Sequence, residues 1–63
     1  MSIFVSEMIP HDKKILQEFK DICKILKIHI HYMKDMGSFI HVDITGEIDD
    51  IEKIRNKIKE WEK

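Results

Sequence analysis

The spacing of apolar residues changes twice along this chain, and each change marks a switch of backbone geometry. Ser2 to Ser6 is apolar and β-branched enough for a short strand. Pro10 is expected to stop any pairing, and His11 and Asp12 to open a helix. Ile15, Leu16, Phe19, Ile22, Cys23 and Leu26 then recur at intervals of one, three or four, which places them on one helical stripe and predicts a helix from about Asp12 to Leu26. Its other face carries Lys13, Lys14, Glu18, Lys20, Asp21, Lys24 and Lys27, a solvated surface.

From Ile28 the period drops from 3.6 to 2. The run Ile28 to Met33 alternates strictly, Ser38 to Thr45 alternates again, and Asp35-Met36-Gly37 between them has the composition of a three-residue hairpin connection. With Lys34 facing Ser38, one side of the sheet pairs Tyr32 with Ile40, Ile30 with Val42 and Ile28 with Ile44. The other side pairs Met33 with Phe39, His31 with His41 and His29 with Asp43. Gly46 ends the strand. Glu47 to Trp61 carries Ile48, Ile51, Ile54, Ile58 and Trp61 at helical spacing, a second amphipathic helix.

The order strand, helix, strand, strand, helix predicts an α+β fold: a ferredoxin-like βαββα two-layer sandwich, with both helices on one face of an antiparallel sheet and the closing strand of that topology absent. The first strand is then left with an open edge. All 63 residues are expected to form one domain. A domain this short buries only about 60% of the surface of its unfolded chain, so a partner subunit would add to its stability.

Charge narrows the possibilities. Eleven Lys and Arg stand against twelve Asp and Glu, a net charge of −1, with the signs interspersed and no basic face for nucleic acid. Cys23 is the only cysteine, which fits a reducing, cytoplasmic setting, and no apolar run is long enough to span a bilayer. The first residues lack the pattern of a secretory signal. No nucleophile stands at a recognisable spacing from a base, and no Gly-rich phosphate loop is present, so an enzyme is not expected.

The predicted register gathers His29, His31, His41 and Asp43 on the face away from the helices, with Phe4, Met33 and Phe39 beside them. Two aromatics, a methionine and three histidines suit a surface covered by a second subunit, so a homo-oligomer, dimer or tetramer, is expected. Imidazoles on directly opposed residues, about 4.5–5.5 Å apart at Cβ, are close enough to share a divalent ion. His29, His31 and His41, supported by Asp43, are thus candidate ligands for a transition metal such as nickel or zinc, completed by the partner subunit. Crowded imidazoles also resist joint protonation, which would let acid separate such subunits. A ligand-free interaction module is the alternative.

The segment His29-Ile30-His31, a polar turn, a strand ending in Gly46 and the helix EIDDIEKIRNKI together resemble the C-terminal regulatory domain of the nickel-responsive regulators (NikR). The resemblance implies an ACT-like fold, a tetramer assembled sheet to sheet, and nickel ligands at His29 and His31. The family's cysteine ligand falls near Gly37 or Ser38, where this chain has none. The pattern GSFIHVDITGEIDDIEKI is similar to other ACT-like modules, including NIL domains, which implies small-molecule sensing or simple association.

Overall fold

The computed structural model describes Met1–Glu62; Lys63, the last residue of the expected domain, lies outside the described residues. The elements are β1 (Ser2–Pro10), α1 (Lys13–Ile25), β2 (His29–Asp35), β3 (Phe39–Glu47) and α2 (Ile48–Trp61). The strands form one antiparallel sheet in the order β1-β3-β2, an α+β arrangement compatible with a ferredoxin-like fold.

Helix α1 starts where the sequence places a cap. The Asp12 carboxylate accepts hydrogen bonds from the Lys14 and Ile15 backbone N–H groups at 2.8 and 3.0 Å, satisfying donors that have no intrahelical acceptor. The helix ends in a Schellman pattern. Ile28 N–H donates to Cys23 O at 2.8 Å and Lys27 N–H to Lys24 O at 3.4 Å, with Lys27 held in the left-handed region at φ 58°. That turn delivers Ile28 to the core and His29 to the first position of β2. Helix α2 has no side-chain N-cap bond, but Asp49 and Asp50 sit in its first turn and Ile48 N–H reaches Met1 O at 3.1 Å.

Strand β3 lies in the centre, and its even residues Ile40, Val42 and Ile44 are buried. They meet Phe19 and Cys23 of α1, Ile51, Ile54 and Ile58 of α2, and Ile9 of β1 in one core. Both helices therefore cover the same face of the sheet. Gly46 keeps this layer closed, because a Cβ there would sit 3.0 Å from Ile28 Cγ1 and 3.4 Å from Ile51 Cδ1.

Two details differ from the sequence expectation. Strand β1 runs on through Met8 and Ile9 to Pro10, which pairs with Phe39, instead of ending at Ser6. Proline is tolerated because β1 is an edge strand and the missing N–H falls on its unpaired side.

The hairpin register also differs. Met36 N–H donates to Phe39 O at 2.9 Å, so the connection is the pair Gly37-Ser38; Gly37 adopts φ 94° and its N–H is bound by Asp35 Oδ1 at 2.8 Å. Asp35 then pairs with Ile40, Lys34 with His41, Met33 with Val42 and Tyr32 with Asp43. A β-bulge between Ile30 and Tyr32 absorbs His31, beyond which Ile30 pairs with Ile44 and His29 with Thr45. The expected pairs of Met33 with Phe39, His31 with His41 and His29 with Asp43 do not form.

The left-handed Lys27 is a backbone cost that glycine avoids. Lys27→Gly should raise unfolding stability by about 1 kcal/mol in urea titration, whereas Gly46→Ala should lower it. Stabilisation by Gly46→Ala would contradict the close packing of Ile28 and Ile51 over that position.

Candidate functional site

The face of the sheet away from the helices is formed by the residues that alternate with the core. Ser2, Phe4, Ser6 and Met8 come from β1, and Phe39, His41, Asp43 and Thr45 from β3. Strand β2 contributes His29, His31, Tyr32 and Lys34. The bulge makes this possible, since it lets His31 and Tyr32 share a face although they are adjacent in sequence. Phe4 is 60% exposed, Met8 57% and Tyr32 49%.

The expected placement is thus met for His29, His31, His41, Asp43, Phe4 and Phe39, and corrected for Met33. With the hairpin pairs displaced near the turn, Met33 falls opposite Val42 and packs against the core, and Tyr32 takes the open face in its stead. Tyr32 and Met8 were the residues that strict alternation missed. Nothing short of the bulge position reveals Tyr32, but Met8 follows from the period once β1 is known to reach Pro10.

Asp43 is the polar centre of this face. Its Oδ1 accepts from Ser6 Oγ at 2.6 Å and from His41 Nε2 at 2.8 Å; a carboxylate can only accept, so the His41 ring carries a proton on Nε2. The Ser6 hydroxyl first, and then His41 with a smaller contribution from His31, hold the Asp43 carboxyl below its ordinary value of 3.8. His31 Nε2 and Thr45 Oγ1 share a hydrogen bond of 2.6 Å. The His31 ring lies 4.4 Å from that of His29 and 5.7 Å from that of Phe4, and Tyr32 lies 6.1 Å from His41.

The structure therefore arranges the histidines as two groups, His29 with His31 and His41 with Asp43. Lys34, not His31, stands opposite His41. Among the described residues no three His, Cys, Asp or Glu side chains converge as a metal-binding group within one chain.

Elsewhere, His11 Nε2 donates to Asp35 Oδ2 at 2.8 Å, tying the start of α1 to the end of β2. The Gly37 N–H first and then His11 lower the Asp35 carboxyl. Cys23 lies in the core, where burial pushes its thiol up to about 11, the opposite of an activated nucleophile. No helix among the described residues is long and apolar enough to cross a membrane.

The chain matches no family model, no curated protein and no solved structure.

The Asp43 environment has a sign that can be measured. Its folded-state acidity is strengthened, so the stability it adds is complete above the ordinary carboxylate range and lost as pH falls through the lowered folded value. Ser6→Ala should move the Asp43 carboxyl titration, followed by carbon NMR, upward toward 3.8. An unchanged midpoint would remove the serine from this account.

Proposed function

We propose that this chain is a small, non-catalytic, oligomeric binding module whose open sheet face is covered by a second copy of itself. One observation carries the reading: Phe4 and Met8 are more than half exposed and Tyr32 is 49% exposed, on a sheet whose opposite face packs against its own helices. Exposed apolar side chains on such a face gain about 25 cal/mol per Å² when another surface removes them from water. The centre of the face is polar, with His41 and Asp43 on β3, and these with His29, His31 and Lys34 of β2 are available to satisfy one another across the contact.

A second reading within this one is transition-metal binding at the contact. The contact between the His29 and His31 rings favours it, since one chain presents two imidazoles together, with no third ligand converging on them among the described residues. Two copies meeting face to face would bring two such pairs to one ion, with nickel and zinc the metals suited to imidazole donors. The resemblance of the His29-Ile30-His31 strand to that of the nickel-responsive regulators supports the same reading.

Sedimentation velocity tests the first reading. Wild type should associate with increasing concentration, and Tyr32→Lys should weaken that association by about ten-fold or more, equivalent to roughly 1.4 kcal/mol. Association unaffected by Tyr32→Lys would exclude the face as the contact. Calorimetry tests the second: nickel or zinc should bind wild type tighter than about 10 μM and fail to do so in His29→Ala/His31→Ala. Equal binding by both proteins would eliminate these ligands.

A further inference from the structure

The edge of the sheet supplies a separate surface. In an antiparallel pair, the residues that exchange backbone hydrogen bonds recur at every second position. Ile48 N–H donates to Met1 O, which fixes that phase for β1 and β3: Ile3, Val5, Glu7 and Ile9 turn their backbone groups toward β3. Ser2, Phe4, Ser6 and Met8 turn theirs outward. Two observations agree with this phase. Pro10, an outward position, needs no N–H, and its carbonyl is already taken by Asp12 N–H at 2.9 Å.

Natural edges are guarded by charge, bulges or irregular pairing. On β1 proline stands only at the last position, Pro10, and the strand pairs with β3 without a shift over its whole length, so Ser2 to Met8 carries no bulge, proline or outward charge. Its one ionisable side chain, Glu7, is on the helix side, where Arg55 Nε donates to it at 2.9 Å.

We propose that β1 pairs antiparallel with β1 of a second copy about a two-fold axis at Val5, joining two three-stranded sheets into one continuous sheet. In this register Phe4 meets Ser6 of the other copy and Ser2 meets Met8, so every outward donor and acceptor from Ser2 to Met8 is used. A shift that sets Ser6 against Ser6 would bring Ser2 to Pro10, which has no N–H to give. A shift that sets Phe4 against Phe4 leaves Met8 unpaired.

Charge on α2 is complementary in the same arrangement. One flank of α2 faces α1, where Lys57 Nζ lies 3.6 Å from Glu18 Oε1. The opposite flank, with Arg55, Glu52 and Lys59 at helical spacing, overlooks the β1 edge. Because Ile48 reaches Met1 and Arg55 reaches Glu7, α2 and β1 run in the same direction. A two-fold axis at Val5 therefore sets the two α2 helices antiparallel, with the stretch around Glu52 and Arg55 of each copy beside that of the other. The edge contact does not depend on the open face being covered, and it doubles the length of that face.

Amide hydrogen exchange read by NMR tests the pairing on the unaltered protein. Where sedimentation shows a dimer, the Phe4, Ser6 and Met8 amides should be protected as the inward Val5 and Glu7 amides are. Free exchange at those three amides in the dimer would overturn the proposal, as would a wild type that stays monomeric at every concentration. Ser6→Pro removes an outward N–H and, like Ser6→Ala, the hydroxyl bond to Asp43; measured against Ser6→Ala, which keeps the N–H, it should keep the same circular dichroism and weaken dimerisation by about ten-fold or more. A folded Ser6→Pro that dimerises as Ser6→Ala does would also overturn it; if this variant unfolds, the exchange result decides. Tyr32→Lys lies on the far strand and should leave edge protection intact, so a failed face contact and a failed edge contact give different results.

Discussion

Everything in this domain is arranged around the burial of one side of β3. As the central strand it is hydrogen-bonded on both edges, and Ile40, Val42 and Ile44 are sealed beneath the two helices. A strand has only two faces, so committing its even residues to the core commits His41, Asp43 and Thr45 to the other side. The polar centre of the open face is thus a by-product of where the isoleucines go. Moving β3 by one residue would bury an imidazole and a carboxylate and expose the largest part of the core.

Strand β2 must match that commitment from a sequence that does not alternate correctly over its full length. Ile30 and Met33 both face the core although they are three residues apart, an odd separation that an unbroken strand cannot place on one side. The bulge at His31 supplies the extra residue. It adds Tyr32 to the open face and brings the His31 ring beside both His29 and Phe4. Local cost and surface composition are therefore linked: without the bulge the face would gain a methionine and lose its tyrosine.

The helices were legible from apolar spacing because a stripe of six residues tolerates small errors in its ends. Asp12 as cap and Cys23 in the core also follow from residue type alone. The strand pairing was not legible in the same way. It depends on a turn fixed by Asp35 binding the Gly37 N–H and on one bulged residue, and alternation cannot register either. His29, His31 and His41 keep their expected face only because the displacement beyond the bulge is even, while Tyr32 and Met33, between bulge and turn, exchange sides. Pro10 misled for a related reason, since its effect on pairing depends on which edge its nitrogen faces.

The bulge is the feature on which the composition of the open face turns, and interproton contacts between backbone α-hydrogens read it directly. Non-hydrogen-bonded antiparallel pairs bring Cα atoms to about 4.5 Å and give strong α-to-α contacts. With the bulge in place, such contacts should join Met33 to Val42 and Ile30 to Ile44 in the same spectrum. A contact from Tyr32 to Val42 in place of that from Met33 would mean an unbroken hairpin, and the surface described here would not exist.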